Sequence, residues 1–130
     1  SVEEIVEQIL ELPEKTRLQI LAPVVRTKKG THVKMFERIQ KDGYVRVRVD
    51  GEVYDISEVP ELDKNKKHNI EIVVDRIVIK EGANKRISEA VDTVSALTGG
   101  IIIVDVVGKE EIVFSQNFAC PDCGIKYWRN

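Results

Sequence analysis

The sequence predicts an α+β fold, a single domain with a largely antiparallel, twisted sheet and about three helices. Three stretches place apolar residues at helical spacing, and two pairs of strand-like segments are each joined by a tight turn, which favours antiparallel pairing. The length of 130 residues and the hydrophobic content of 42% are sufficient for one domain with its own core.

The first third of the chain predicts a helix, a buried strand and a basic loop. Ser1 and Glu4 form a capping box in front of an amphipathic segment, and Pro13 ends that helix. Residues 17–25 are mostly apolar and predict a buried strand, in which a proline indicates an edge position or an irregularity. The basic loop is predicted at residues 26–30.

The middle of the chain predicts a second helix followed by a hairpin. Thr31 is positioned to cap this helix, and Gly43 suits the position after its end. Residues 44–50 alternate strictly, so apolar side chains share one face and polar side chains the other. The apolar set is Val45, Val47 and Val49. An Asp-Gly pair then signals a hairpin with its return strand at residues 52–56.

A polar excursion at residues 57–68 precedes a long predicted strand at residues 69–80. The apolar residues of this strand change parity midway. A bulge near Val74–Asp75 would let both apolar sets reach the core. The same bulge would turn three side chains outward, namely Arg76, Val78 and Lys80.

The remaining segment predicts a third helix and a closing hairpin. Asn84 or a neighbour starts the helix, its apolar stripe repeats at helical spacing, and two glycines at 99 and 100 stop it. Residues 101–107 and 111–114 form the two strands of the hairpin around Gly108. The predicted element order is therefore α, β, α, β, β, β, α, β, β.

Composition and missing motifs exclude several functions. With 20 Lys+Arg against 22 Asp+Glu, the formal net charge of −2 does not suit a whole-domain polyanion binder. The longest apolar run, residues 101–104, cannot span a bilayer, and no secretory signal is recognisable, so we expect a cytoplasmic protein without a membrane partner. Phosphate-binding glycine motifs and nucleophile motifs are missing, so we expect no catalytic residue and no enzyme activity. We interpret His32 and His68 as surface or capping residues.

The sharpest local motif is a pair of cysteines near the end of the chain. Cys120 and Cys123 are three residues apart and Gly124 follows, which is typical of half of a tetrahedral zinc site. Zinc takes four ligands and the sequence has 2 cysteines, so ligands outside this chain would have to complete the site. A remnant that binds no metal and a redox pair are the alternatives.

Six stretches of the sequence, taken together and in order, resemble the UvrB-binding domain of the bacterial UvrA family. They are LAPVVR at 21–26, KKGTHVK at 28–34, GYVRVRVDGE at 43–52, LDKNKKH at 62–68, IVVDR at 72–76 and NFACPDCG at 117–124. The resemblance covers residues 1 to about 124. Residues 125–130 depart from the pattern of the family.

The resemblance implies a docking module at residues 1–117 and, at residues 118–130, a truncated zinc module or a return linker. It implies a parent protein that is an ABC-type ATPase, works as a homodimer in nucleotide excision repair and hands damaged DNA to UvrB. The transcription–repair coupling factor, which carries a UvrB-like module, is implied as a second partner. ATP is implied for the parent alone. Zinc is implied through Cys120 and Cys123 only together with ligands outside this chain.

The charges indicate where docking would occur. Residues 26–48 hold 8 cations and 2 carboxylates between two acidic segments, so a locally basic surface is expected on a nearly neutral domain. Arginines are favoured anchors because their planar fork pairs with carboxylates. We predict a partner-binding patch of Arg46, Arg48 and Arg76, rimmed by Lys34, Lys28 and Lys29. The alternatives are an ordinary solvated sheet face and direct DNA contact by the same patch. With docking as the function, we expect DNA to be contacted only indirectly or weakly.

Overall fold

Five pairs of neighbouring strands are antiparallel, and two of these pairs are hairpins closed by a short turn. A computed structural model describes residues 1–116 and the backbone of residues 126–129. Its elements are α1 (Val2–Leu10), β1 (Arg17–Lys29), α2 (Val33–Lys41), β2 (Arg46–Val49), β3 (Glu52–Asp55), a 3-10 turn (Ile56–Glu58), β4 (Lys67–Val78), α3 (Asn84–Thr98), β5 (Ile101–Val106), β6 (Glu111–Ser115) and β7 (Lys126–Arg129). The α+β class, the three helices and the antiparallel sheet are confirmed within these residues.

The chain forms two compact units. The terminal unit consists of Ser1–Ala22 and Val74–Asn130, and the central unit consists of Pro23–Val73. β1 and β4 each contribute residues to both units, because the division falls within these two long strands. The predicted boundary between residues 117 and 118 lies outside the described residues.

In the terminal unit, two helices and three antiparallel strand pairs enclose an aliphatic core. β5 pairs with the first part of β1 and with β6, and β6 pairs with β7. α1 contacts α3, and α3 contacts β5. The side chains that these contacts exclude from water include Ile5, Ile9, Ile20, Val91, Ile102 and Val104. The capping box is confirmed, because the Ser1 side chain accepts a hydrogen bond from the backbone amide of Glu4.

In the central unit, a hairpin and the first part of β4 carry the buried face. β2 pairs with β3 and with β4, which places Val47 beside Ile72 and Val49 beside Ile70. All four of these side chains are buried, and Ile39 is the buried residue of α2. The predicted hairpin is confirmed, because Asp50 and Gly51 have φ values of 49° and 89°, the left-handed pair that a type I′ turn requires.

Three local predictions are wrong. Residues 26–30 are not a loop as a whole, since β1 continues to Lys29 next to β4. Thr31 does not cap α2; His32 is the N-cap at φ 57°, and its ring contacts a backbone carbonyl instead of capping the helix. Val45 is 56% exposed because β2 begins only at Arg46. β7 was not predicted. It pairs with β6 and so adds one strand to the sheet.

The change of parity along β4 has the predicted consequence for its side chains. Ile70 and Ile72 are buried in the first part, and Ile77 is buried in the second, five positions after Ile72. The three side chains predicted to face outward, Arg76, Val78 and Lys80, are exposed. The second part of β4 and the segment after it therefore present polar and apolar side chains to solvent.

Candidate functional site

The pleat of β2 separates two valines from two arginines. Val47 and Val49 are buried, so Arg46 and Arg48 project from the opposite face of the strand. The register of the hairpin sets Arg46 opposite Asp55 and Arg48 opposite Val53. On its other side, β2 sets Arg48 opposite Glu71 of β4. The two predicted docking arginines thus share a face but have different neighbours.

Arg48 is engaged within the protein. Its Nε donates to Oε1 of Glu71 at 2.6 Å, and the two side chains are only 13% and 8% exposed. An ion pair that is excluded from water retains its attraction, because solvent screens it little. The positive charge of Arg48 is therefore neutralised by Glu71, and its guanidinium is not freely presented to a partner.

Arg46 lies on an exposed strip that we call the β2–β3 face, made of Arg46, Val53 and Asp55. Val53 is 40% exposed, so this face carries an apolar side chain beside its charged ones. Oδ1 of Asp55 accepts hydrogen bonds from the backbone amide and the hydroxyl of Ser57, at 2.9 and 2.7 Å. These hydrogen bonds, together with the charge of Arg46, lower the pKa of Asp55. The strip therefore combines a cation, an apolar side chain and an ionised carboxylate.

The predicted rim lysines are all exposed and belong to the central unit. Lys28 and Lys29 end β1, and Lys34 lies in the first turn of α2. The carbonyl of Lys28 accepts a hydrogen bond from Nε2 of His32 at 2.9 Å, which ties the end of β1 to the start of α2. The backbone here is ordered by this contact, while the lysine side chains extend into solvent.

Arg76 belongs to the terminal unit, where it is exposed on β4. Its Nε donates to Oε1 of Gln19 at 3.0 Å, and Nε2 of Gln19 donates to Oδ2 of Asp105 at 2.8 Å. Gln19 and Asp105 lie opposite each other on β1 and β5. A single patch of three arginines stays a prediction, because Arg46 and Arg48 belong to the central unit.

Sequence reasoning missed a polar centre around His68, whose interpretation as a surface or capping residue is wrong. His68 is only 5% exposed. Its Nδ1 lies 2.7 Å from Oδ2 of Asp50, and its Nε2 lies 2.7 Å from the carbonyl of Asp63. Both neighbours can only accept, so the ring is best satisfied when both nitrogens are protonated. The hydrogen bond to Asp50, followed by that to Asp63, raises the pKa of His68.

Asp50 connects this centre to the strands around it. Its Oδ1 accepts from the backbone amide of Asn69 at 2.9 Å, and the Asn69 side chain accepts from the amide of Thr27 at 2.8 Å. Burial alone would raise the pKa of Asp50, but the hydrogen bonds from His68 and Asn69 lower it. The ring of His32 approaches that of His68 edge-on, with centroids 6.0 Å apart. The hairpin turn, the start of β4 and the end of β1 are thereby joined.

The predicted metal ligands Cys120 and Cys123 lie outside the described residues. Within the part of the chain that is described, no group of three or more His, Cys, Asp or Glu side chains is arranged to hold a metal ion. None of the described helices combines the length and the apolar character needed to cross a membrane.

Comparison with known proteins supplies the family. The family model described as the UvrA interaction domain matches residues 1–108. This chain belongs to the UvrA interaction domain family. It is 76% identical to the UvrABC system protein A of Lactococcus lactis subsp. lactis, 58% identical to that of Streptococcus pneumoniae and 54% identical to that of Listeria monocytogenes, over 124 residues each. These alignments cover 95% of this chain and 13% of each relative.

The UvrA interaction domain thus carries its predicted cations in three states. Arg48 is paired and mostly shielded from solvent, Arg76 is exposed but hydrogen-bonded, and Arg46 and the lysines are exposed at the surface. Charge that is already neutralised inside the protein contributes little to association, whereas exposed charge can meet a partner. Arg46 and Arg76 are therefore better candidates for anchors than Arg48.

The internal pairing of Arg48 predicts unequal effects of two neighbouring substitutions on stability. Arg48→Ala removes the cation that forms the shielded ion pair with Glu71, so we expect the free energy of unfolding to fall by about 3 kcal/mol. Arg46→Ala removes an exposed side chain from the same face of the same strand, so we expect a change within about 0.5 kcal/mol. Urea denaturation followed by circular dichroism measures both values. Equal effects of the two substitutions would contradict the assignment of Arg48 as an internal residue.

The pair of His68 and Asp50 predicts a pH window of extra stability. Because the pKa of His68 is raised in the folded protein, its contribution is complete below the unfolded value of 6.5 and is lost as the pH rises through the folded pKa. Because the pKa of Asp50 is lowered, its contribution is complete above 3.8 and is lost as the pH falls through the folded pKa. The unfolding free energy of the native chain should therefore exceed that of His68→Gln most between these limits.

Urea denaturation from pH 4 to pH 9 measures this difference, and an NMR titration of the His68 ring gives its pKa directly. We expect the difference between the two proteins to shrink as the pH rises above about 6.5. Asp50→Asn should lower the pKa of His68. A His68 pKa below that of an unperturbed histidine would refute the pairing.

Proposed function

We propose that this chain is the protein-docking module by which a UvrA protein binds UvrB and loads it at DNA lesions in nucleotide excision repair. The observation that carries this proposal is the match of residues 1–108 to a family described as an interaction domain. The name of the relatives, UvrABC system protein A, is consistent with a multi-protein assembly. Since this chain spans 13% of these relatives, other activities of the whole protein would reside in other segments.

The properties of the parent protein are part of the same proposal. We infer that the parent is an ABC-type ATPase that acts as a homodimer, and that its ATP is bound outside this chain. Zinc remains a proposal as well, with Cys120 and Cys123 supplying half of a site that is completed by ligands elsewhere. Docking on the β2–β3 face requires no part of that zinc site.

The chemistry of the β2–β3 face supports protein docking. Arg46 and Asp55 give it one charge of each sign, and Val53 adds an exposed apolar side chain between charged neighbours. Interfaces favour such combinations, because an apolar centre supplies burial and flanking charges supply orientation. We assign Arg46 and Arg76 as the two anchors that meet acidic or polar groups of UvrB.

The exposed lysines suit a supporting role. Lys28, Lys29 and Lys34 form no ion pair with any described residue, so they add positive potential to the surface. Charges of this kind accelerate association more than they strengthen the final complex, and added salt weakens their effect. The transcription–repair coupling factor, as a carrier of a UvrB-like module, would use the same anchors and the same rim.

Direct DNA contact is a second candidate, which the exposed cations at the end of β1 favour. Phosphate binding would make the affinity for duplex DNA fall steeply with salt concentration. Stacking on bases is not supported, since the aromatic content is only 5%. Fluorescence anisotropy with duplex DNA at several salt concentrations separates the two functions, because docking alone predicts no tight DNA binding by this chain.

Charge reversal of both anchors should abolish docking. For Arg46→Glu combined with Arg76→Glu, we expect the affinity for UvrB to fall by at least about 100-fold, because two central anchors are each worth roughly 2 kcal/mol. Isothermal calorimetry measures the affinity, and circular dichroism checks the fold. The matched control reverses Lys64 and Lys85, one exposed cation in each unit and outside the predicted basic segment, and should leave the affinity nearly unchanged.

Two results of the UvrB calorimetry and the DNA anisotropy measurements would count against the proposal. An unchanged UvrB affinity in the doubly reversed, folded variant would exclude these arginines as anchors. Loss of duplex DNA binding without loss of UvrB binding would favour the DNA function instead.

A further inference from the structure

Gln19 and Asp105 connect in series to the exposed guanidinium of Arg76 by hydrogen bonds. We call these three side chains the Arg76 relay. Nε of Arg76 donates to Oε1 of Gln19 at 3.0 Å, and Nε2 of Gln19 donates to Oδ2 of Asp105 at 2.8 Å. Gln19 is only 8% exposed, whereas Arg76 lies at the surface. The relay therefore connects a surface cation to a carboxylate through a buried amide.

The chemistry of the three groups determines how the central amide is oriented. The Nε of arginine can only donate, and an ionised carboxylate can only accept. The amide oxygen of Gln19 must therefore point to Arg76, and its NH2 group must point to Asp105. The reverse orientation would place donor against donor and acceptor against acceptor. Asp105 thus selects the amide orientation that presents an acceptor to Arg76.

The backbone makes the relay rigid. Gln19 lies on β1 directly opposite Asp105 on β5, in an antiparallel ladder. Its sequence neighbours Leu18 and Ile20 are 1% and 0% exposed, so they anchor this part of β1 in the core. Functional side chains that are supported from regular strands keep their geometry better than those on loops. An Arg76 side chain held by this relay has fewer conformations to lose when a partner binds.

The hydrogen bond to Gln19 occupies Nε of the Arg76 guanidinium and leaves Nη1 and Nη2 available. Within residues 1–116, the Arg76 side chain donates a hydrogen bond through Nε alone. Arg86 shows the contrasting case, because its Nε and Nη2 both bind Asp75, at 2.9 and 2.8 Å, which is a side-on pair. With Nε occupied, the remaining bidentate mode of Arg76 is end-on, through Nη1 and Nη2.

We infer that Gln19 and Asp105 are positioning residues that hold Arg76 so that its two Nη atoms receive a carboxylate of the docking partner end-on. This inference rests on the proposed docking function and adds the chemistry of the partner group, an Asp or Glu side chain. It also predicts that a lysine cannot replace Arg76, because an ammonium has neither the Nε that Gln19 binds nor a planar fork.

Gln19→Leu tests the inference, since it preserves the approximate volume and removes the acceptor. In this variant the Arg76 side chain is no longer ordered before binding, so its loss of conformational freedom opposes binding. We therefore expect about fivefold weaker UvrB binding by calorimetry. We also expect the NMR signal of the Arg76 Nε–H to move toward the position of solvent-exposed arginines. The matched control Gln8→Leu makes the same exchange on α1 and should change neither quantity.

A double-mutant cycle with Arg76→Ala isolates positioning from general damage to the fold. In the Arg76→Ala background, Gln19→Leu should have no further effect on affinity. Asp105→Asn provides a second, milder variant, which permits the Gln19 amide to turn and should weaken binding by about twofold.

The outcomes distinguish this inference from the docking proposal. If Arg76→Ala leaves the affinity unchanged, Arg76 is not an anchor and both proposals about it fail. If Arg76→Ala weakens binding but Gln19→Leu and Asp105→Asn do not, the docking role stands and the positioning role is refuted. An equal loss from Gln19→Leu with and without Arg76 would also refute positioning, because the effect would not pass through Arg76.

Discussion

The register of the β2–β3 hairpin is the constraint on which the candidate site depends. In a strand, successive side chains point to opposite faces, so a shift of one residue would bury Arg46 and Arg48 and expose the valines. The type I′ turn at Asp50 and Gly51 fixes how the two strands pair. The Asp50 carboxylate then holds this turn against His68 and Asn69 at the start of β4. The polar centre around His68 thus supports the turn that sets which side chains the β2–β3 face presents.

The arginines of this domain show that position in the sequence does not decide whether a cation is available. Arg46 and Arg48 are two residues apart on one strand, yet only Arg48 is paired with a buried glutamate. Arg76 donates a hydrogen bond to Gln19 through Nε, and its side chain stays exposed to solvent. Pairing within the protein removes a charge from the surface, whereas a neutral hydrogen bond can orient a charge without neutralising it. Anchors are therefore expected among cations that no carboxylate within the protein neutralises.

Much of this arrangement could be predicted from local patterns. Period-two alternation predicted the faces of β2, the Asp-Gly pair predicted its turn, and the parity change predicted that Arg76 is exposed on β4. Local patterns could not predict contacts between residues that are distant in the chain. Asp50 and His68 are separated by 18 positions, Arg48 and Glu71 by 23, and Gln19 and Arg76 by 57. Each of these contacts arises from the order of the strands, which the sequence pattern does not contain.

We infer that pairing within the protein decides which arginines dock. The most direct test follows the side-chain Nε–H signals of Arg46, Arg48 and Arg76 by NMR while unlabelled UvrB is added to the isotope-labelled chain. We expect the signals of Arg46 and Arg76 to shift or broaden first, while that of Arg48, bound to Glu71, changes least. A dominant change at Arg48, with Arg46 and Arg76 unaffected, would contradict this inference.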